Sequence, residues 1–262
     1  MRHNLTELAG NPDFISGIYN YCDRWCERCP FTSRCLVYAT EKEDDDQDPH
    51  NRDITNEAFW RKLSAIFQET QQMLAELAEE QGIDLREVDE EAVTRSERRR
   101  FDAEQDKHAI AARDYAIALS QWFTEFDQII NTTDLKPDQS EVEEKQQIED
   151  AREVLQWYQY QIAVKIMRAL SSRSNEEEWL GEVEDGEEPT RDSDGSAKVA
   201  LVAIDRSISA WRLMQMSLPE RADSIIPLIF DLERLRQKIE LRFPNARDFI
   251  RPGFDEVLGK AN

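Results

Sequence analysis

The chain has 262 residues, 40% of them hydrophobic, and its 55 acidic and 33 basic residues give a formal net charge of −22 at pH 7. The hydrophobic fraction is sufficient for a buried core and argues against a chain that is disordered over its whole length. The negative charge disfavours binding to nucleic acid or to anionic membranes. With no signal peptide and no run of about 18 apolar residues, the sequence predicts a soluble cytoplasmic protein without membrane contact.

The only cysteines of the chain lie within fourteen residues near its start: Cys22, Cys26, Cys29 and Cys35. A reducing cytoplasm keeps thiols free, so the spacing C-x3-C-x2-C-x5-C indicates a metal centre in preference to two disulfides. A helix over residues 15–29 would place the first three sulfur atoms on one face, and a turn after Pro30 would return Cys35 to them. We therefore expect residues 1–40 to form a small helical, cysteine-rich metal-binding module, followed by an acidic linker over residues 41–55.

Downstream of the linker, apolar residues recur at steps of three and four and predict amphipathic helices. These cover approximately residues 56–81, 84–130, 140–172, 196–217 and 219–243. The first of them has an apolar stripe that we expect to face the core: Phe59, Leu63, Ile66, Phe67, Leu74 and Leu77. The acidic segment 174–194 predicts a disordered loop. Because long amphipathic helices with such connections pack side by side, residues 56–262 predict an all-α, antiparallel four- or five-helix bundle.

The donor set of the cysteine segment fits two inorganic centres. Four thiolates suit a [4Fe-4S] cluster or, alternatively, a tetrahedral zinc ion. Zinc sites commonly use two C-x2-C pairs, and this chain has one such pair, Cys26 and Cys29. The aromatic neighbours Tyr19, Tyr21, Trp25 and Phe31 would shield either centre from water.

Two short resemblances to known families favour the cluster. Cys26, Cys29, Phe31 and Cys35 form a C-x2-C-x5-C run that resembles the C-terminal part of the iron-sulfur staple in RecB-like and CRISPR-adaptation nucleases. In that family the first cysteine lies far upstream, whereas Cys22 is adjacent to the others here, and the helical pattern contains no nuclease carboxylate-lysine core. The resemblance therefore implies a cluster and does not extend to nuclease activity.

The C-x3-C-x2-C triad Cys22, Cys26 and Cys29 is similar to that of radical SAM enzymes. Those enzymes place the triad on a loop of an α/β barrel and leave one iron open for the cofactor. This chain lacks an alternating βα pattern and has a fourth cysteine within reach, so the similarity is confined to the spacing.

Three other groups are candidate sites. Glu104 and His108 could contribute to a metal site inside the bundle, but their spacing is E-x-x-x-H where di-iron proteins have E-x-x-H on two helices, and a satisfied core or bundle-end histidine accounts for the pattern better. Asp205 and Lys165 interrupt apolar runs and could form a polar pair between two helices, although helical charges usually face solvent. The basic run at residues 95–100 could bind phosphate, but its acidic neighbours favour an ion-paired surface.

Taken together, these patterns predict a metal-binding cytoplasmic helical protein that acts structurally or in redox sensing through protein contacts. The protein partner is not indicated. Two alternatives remain: an enzyme, either a redox enzyme that uses the cluster or a bundle metalloenzyme that uses Glu104 and His108, and a scaffold without metal. The sequence contains no phosphate-binding loop, dinucleotide fingerprint or nucleophile elbow to decide for an enzyme.

Overall fold

A computed structural model of the chain describes residues 11–47, 55–85, 89–130, 139–180 and 191–255. Within these ranges the chain forms seven α-helices and no β-strand, which confirms the predicted all-α class. The helices are α1 (Leu36–Gln47), α2 (Glu57–Gln81), α3 (Glu90–Gln105), α4 (Lys107–Ile130), α5 (Gln139–Leu180), α6 (Asp192–Ser217) and α7 (Ala222–Arg242).

The chain divides into two compact units. Unit 1 comprises Met1–Asn20 and Cys26–Ser96, and unit 2 comprises Tyr21–Trp25 and Glu97–Asn262. The short segment Tyr21–Trp25 thus belongs to the unit that contains the later helices, and we call it the anchor segment.

Unit 1 contains α1 and α2, and the ends of α2 follow the expected capping rules. The Asn56 side chain accepts a hydrogen bond from the backbone N–H of Ala58 at 2.9 Å and caps the start of the helix. Gly82 ends it in the left-handed conformation with φ of 69°, and its N–H donates to the carbonyl groups of Ala78 and Glu79. The predicted limits of this helix are confirmed.

The predicted burial of the α2 stripe is wrong. Ile66, Phe67, Leu74 and Leu77 are exposed, whereas Phe59 and Leu63 are half-buried. The periodicity identified the helix correctly, but the apolar face lacks the cover that a core helix would have.

Unit 2 is built around α4, α5, α6 and α7. Successive helices are in contact, and α4 also packs against α7, so the four close a ring around one core. Side-chain contacts show that neighbouring helices run antiparallel. The contacts are Arg113–Met167 and Ala116–Gln159 between α4 and α5, Tyr158–Arg206 and Arg168–Asp192 between α5 and α6, and Asp205–Arg236 and Arg212–Glu233 between α6 and α7.

The apolar stripes predicted for these four helices form the core of unit 2. Their buried members include Tyr115, Leu119 and Trp122 on α4, Leu155, Tyr158, Ile162 and Ile166 on α5, Leu201, Ile204, Ile208 and Trp211 on α6, and Ile225, Leu232, Leu235 and Ile239 on α7. Within the core the Trp211 indole donates a hydrogen bond to the Tyr115 hydroxyl at 2.9 Å. Burial of this kind stabilises each large side chain by about 1.5–3 kcal/mol.

Helices extend into both predicted connections. α1 reaches Gln47, inside the range of the acidic linker, while α5 continues to Leu180 and α6 begins at Asp192, inside the range 174–194. Residues 48–54 and 181–190 lie outside the described residues. None of the helices in the described part of the chain is long and apolar enough to cross a membrane.

Candidate metal centre and its anchor segment

The cysteines lie on short turns and extended backbone. The turns in this region are 3-10 helices at Ile18–Asn20, Cys26–Arg28 and Thr32–Arg34. The expected helix over residues 15–29 is therefore wrong. Gly17 and Arg24 both have left-handed backbone angles, with φ of 71° and 58°, and each interrupts the right-handed hydrogen-bond pattern of a helix.

The turn from Cys26 to Cys35 has a local geometry that is compatible with sulfur ligands. The N–H of Cys29 donates to the Cys26 carbonyl at 3.2 Å, which closes the turn between the two cysteines. The N–H of Phe31 points at the Cys29 sulfur at 3.4 Å, and Cys35 ends the next turn by donating to the carbonyl of Thr32. None of the four cysteines forms a disulfide, and all four are half-buried.

The four predicted ligands are divided between the two units. Cys22 belongs to unit 2, whereas Cys26, Cys29 and Cys35 belong to unit 1. Across the described ranges, no three His, Cys, Asp or Glu side chains are grouped so that they could hold a metal ion. The position of Cys22 is instead set by the anchor segment.

Asp23 is the polar centre of the anchor segment. Its carboxylate oxygen Oδ2 accepts a hydrogen bond from the Tyr158 hydroxyl at 2.7 Å and one from the Arg206 guanidinium at 2.5 Å. Arg206 also donates to the Tyr158 hydroxyl, which completes a three-membered network. Burial, together with the hydrogen bond to Asp23, raises the pKa of Tyr158, so this phenol remains a donor at neutral pH.

The backbone of Asp23 is held as firmly as its side chain. Its carbonyl oxygen accepts hydrogen bonds from the Trp157 indole at 2.9 Å and from the Gln161 amide at 2.6 Å. Beside it, the Trp25 ring stacks on Trp157 with centroids 5.1 Å apart and meets Tyr158 edge-on at 6.0 Å. Trp25, one of the aromatic side chains that were expected to shield a metal centre, thus packs on α5.

The other end of the anchor segment is fixed at the start of α6. The Tyr21 hydroxyl donates to Asp192 at 3.0 Å, and the same carboxylate accepts hydrogen bonds from Ser172 at 2.7 Å and from Arg168 at 3.0 Å. Burial and the Asp192 charge raise the pKa of Tyr21 to about 12. Although burial opposes ionisation of Asp192, the hydrogen bonds and the Arg168 charge outweigh it and lower the pKa of the carboxyl group.

Gly195 provides the space in which Tyr21 lies. A Cβ atom at this position would be 2.4 Å from Cε1 of Tyr21 and 2.7 Å from Cζ of Phe249, distances that real Cβ contacts do not show. The Tyr21 and Phe249 rings themselves are in contact, with centroids 4.7 Å apart. A glycine inside α6, where it disfavours the helix, is explained by this close approach.

Cys22 lies between these two ends, in an environment that favours the protonated thiol. Burial raises the pKa of Cys22, while the positive charges of Arg24 and Lys165 oppose that shift. Lys165 is itself buried, and burial, followed by the charge of Arg168, lowers its pKa. A metal ion bound at Cys22 would therefore have to displace a proton from the thiol.

The Glu104 and His108 pair is a helix-end structure. Asp106 separates α3 from α4, and its Oδ1 atom accepts hydrogen bonds from both the backbone N–H and the Nδ1 of His108 at 2.7 Å. Glu104 pairs with Arg100. His108 is thus buried and hydrogen-bonded, as expected for a satisfied core or bundle-end histidine.

The basic run at residues 95–100 is an ion-paired surface, as its acidic neighbours suggested. Arg95 pairs with Asp89 and Glu91, Arg98 with Asp102, Arg99 with Glu178 and Arg100 with Glu104. These exposed pairs each contribute about 0–1 kcal/mol to stability.

Asp205 belongs to a surface network of charges at the α6–α7 side of unit 2. It accepts hydrogen bonds from Arg247 at 2.6 Å and from Arg236 at 3.4 Å, and Arg247 also pairs with Glu240. Asp205 thus faces arginines on the outside of the bundle, whereas Lys165 lies near Cys22.

The anchor segment is the feature that the sequence did not reveal. Its partners Tyr158 and Arg206 are more than 130 residues away along the chain, and nothing in their spacing connects them to Asp23. Gly195 was an available signal, because an isolated glycine next to a helical pattern can mark a close approach between two parts of the backbone.

Comparisons of the chain with protein-family models, with curated proteins and with solved structures found no match.

Proposed function

We propose that the chain is a metal-binding helical protein in which Cys22, Cys26, Cys29 and Cys35 hold a [4Fe-4S] cluster, or alternatively a zinc ion. In this proposal it is cytoplasmic, its helices form an antiparallel bundle with an N-terminal cysteine module, and it acts structurally or in redox sensing through contacts with another protein. The observation that carries the proposal is that the four cysteines of the chain lie within fourteen residues and form no disulfide.

The chemistry of the turn supports sulfur ligation. Cys26 and Cys29 flank a closed 3-10 turn, the arrangement by which a C-x2-C pair offers two sulfur atoms to one metal. The N–H of Phe31, which donates to the Cys29 sulfur, would stabilise negative charge on a thiolate. Hydrogen bonds to cysteine sulfur also tune the reduction potential of iron-sulfur clusters.

Metal binding in this proposal changes the conformation of the cysteine segment. Because the four sulfurs have to converge, their turns must rearrange as the ligands lose their protons. Part of the binding free energy is then used for folding, so the loaded protein should be more stable than the metal-free protein. Such coupling is the physical basis of a structural or sensing role.

The test is anaerobic purification followed by measurement of iron, inorganic sulfide and zinc. A cluster gives iron and sulfide with absorbance near ~400 nm, whereas one zinc per chain without colour favours the alternative. Cys29→Ser should lose the metal, and Ser33→Ala in the same segment should keep it. The proposal fails if the wild-type protein contains no metal, or if a variant without any cysteine contains as much as the wild type.

A further inference from the structure

The anchor segment, Tyr21–Trp25, lies on unit 2 in the way that a short peptide lies on its receptor. The chain on both sides of it, Met1–Asn20 and Cys26–Ser96, belongs to unit 1. Four of its five residues are half-buried and Arg24 is exposed, so the segment stays at the surface of unit 2 and does not enter the core. Residues 21–25 therefore resemble a bound ligand, and α5 and α6 supply the binding site.

The site on α5 and α6 is built to hold one aspartate. Tyr158 and Arg206 donate hydrogen bonds to the carboxylate oxygen Oδ2 of Asp23. Trp157 and Gln161 donate to the backbone carbonyl oxygen of the same residue. Because both groups of one residue are bound, the spacing between the two pairs of donors matches the single methylene group of an aspartate side chain. The guanidinium charge adds a preference for an ionised carboxylate.

Aromatic contacts on both sides of the aspartate add to the recognition. Trp25 stacks on Trp157 with ring centroids 5.1 Å apart. The Oδ1 atom of Asp23 accepts a hydrogen bond from the Trp25 N–H at 3.2 Å, and this turn brings the ring to Trp157. On the other side, the Tyr21 hydroxyl donates to Asp192 at 3.0 Å. The site therefore fits a segment with the pattern aromatic-x-Asp-x-aromatic.

The donors of the carboxylate are held in place by contacts that do not involve the anchor segment. The Arg206 guanidinium lies over the Tyr158 ring, 5.7 Å from its centroid, and donates to the Tyr158 hydroxyl. Tyr158 is itself fully buried in the core of unit 2. The Arg206 side chain is 52% exposed, so a carboxylate can reach it from solvent. The site is thus preorganised for its ligand.

We propose that this surface of α5 and α6 is a recognition site for a linear segment of a partner protein with the pattern aromatic-x-Asp-x-aromatic, and that the anchor segment occupies it as an exchangeable, autoinhibitory ligand. A segment of the same chain has an effective concentration in the millimolar range, which the partner has to overcome. The left-handed backbone of Arg24 disfavours the bound anchor segment, and a partner with glycine at this position avoids that cost. The inference rests on the proposed function only for the existence of a protein partner, since none of these contacts involves a cysteine.

The experiment measures binding of a peptide to the full-length chain by fluorescence anisotropy. The probe is a labelled peptide of residues 19–25 that carries Cys22→Ser. Asp23→Ala with Trp25→Ala in the full-length chain removes the main contacts of the anchor segment, and this vacant-site chain should bind the peptide saturably. The wild-type chain should bind it at least about 10-fold more weakly, because the apparent affinity falls with the fraction of chains whose site is open. Asp23→Asn in the peptide should weaken binding about 10-fold or more, since the hydrogen bonds to a charged carboxylate are lost.

A matched pair of arginine substitutions tests the position of the site. Arg206→Ala in the vacant-site chain should weaken peptide binding about 10-fold or more. Arg212→Ala, at an exposed and ion-paired position on the same helix, is the control and should leave binding unchanged. Circular dichroism and thermal unfolding establish that each variant retains its helices.

Three results would overturn the recognition site: no binding to the vacant-site chain, equal binding to the vacant-site and wild-type chains, or binding that is insensitive to Arg206→Ala. The exchange is overturned if the wild-type chain binds no peptide at about 1,000 times the concentration that half-saturates the vacant-site chain. Metal content is measured on the same samples. A metal-free chain that binds the peptide contradicts the metal centre alone, whereas a metal-loaded chain that shows none of this binding contradicts the recognition site alone.

Discussion

Gly195→Ala should destabilise the protein, although alanine is the better helix former. In an open helix the substitution is worth about 1 kcal/mol in favour of alanine. Here the new methyl group would be 2.4 Å from the Tyr21 ring and 2.7 Å from Phe249. Ordinary contact requires about 3.4 Å or more, so the Tyr21 ring has to move by roughly 1 Å, and its hydrogen bond to Asp192 is strained or broken.

The size of the effect follows from the interactions that Tyr21 makes. Overpacking costs about 1–3 kcal/mol, and a hydrogen bond to a charged group is worth about 1.5–3 kcal/mol. After subtraction of the gain of about 1 kcal/mol in helix propensity from these two costs, we expect the free energy of unfolding to fall by about 1.5–5 kcal/mol. The expected sign is therefore opposite to the one that propensity alone predicts.

Denaturant unfolding followed by circular dichroism measures this difference, and a double-mutant cycle assigns it. In a Tyr21→Ala background the larger clash is absent, so Gly195→Ala should cost less there by about 1 kcal/mol or more. Ser209→Ala, at an exposed site on the same helix, is the control for propensity. If Gly195→Ala raised the stability, or if its cost were the same in both backgrounds, the proposed packing of Tyr21 against Gly195 would be wrong.

Two further predictions concern the start and the core of α6. Asp192→Asn should reduce stability at neutral pH by roughly 1–2 kcal/mol, since a half-exposed carboxylate loses charged hydrogen bonds to Arg168 and Ser172. The folded pKa of Asp192 lies below its usual value of 3.8, so this contribution to stability is present above pH 3.8 and is lost as the pH falls further. The stabilities of wild type and variant should therefore converge in acid, and a difference that stays constant with pH would contradict the prediction. Leu201→Ala, at a fully buried core position, should lower the free energy of unfolding by about 2–5 kcal/mol, measured by thermal or denaturant unfolding. Leu241→Ala, at an exposed site, is the control and should change it by less than about 0.5 kcal/mol. Equal effects of the two substitutions would refute the assignment of the core.

The helices of unit 2 could be predicted from the sequence because each one contributes an apolar stripe to the shared core. A helix that packs in this way needs apolar residues at steps of three and four, and the positions of Leu155, Leu201 and Leu232 follow that rule directly. The helical pattern over residues 84–130 did not locate the break between α3 and α4, since the break depends on one side chain, Asp106, that caps the second helix. Local periodicity and capping therefore account for the elements and for most of the core.

The anchor segment could not be predicted, because it depends on contacts between residues far apart in the sequence, and such contacts produce no periodic pattern. Asp23 is one of many acidic residues in the chain, and its selection by Tyr158 and Arg206 becomes visible only when α5 and α6 are side by side. The same contacts, with the left-handed backbone of Arg24, prevent the helix that the cysteine spacing suggested. A spacing of potential ligands is informative about chemistry, but the backbone that carries them is decided by tertiary contacts.

Helix α2 shows that periodicity predicts an apolar face but does not predict whether that face is buried. Its apolar stripe has the same 3 and 4 spacing as the buried stripe of α4, so the spacing alone does not distinguish the two helices. Leu119 and Trp122 of α4 are buried by other helices of unit 2, whereas Phe67 and Leu74 of α2 remain exposed. The pattern specifies that a face is suited to contact another helix and leaves open which chain supplies that helix.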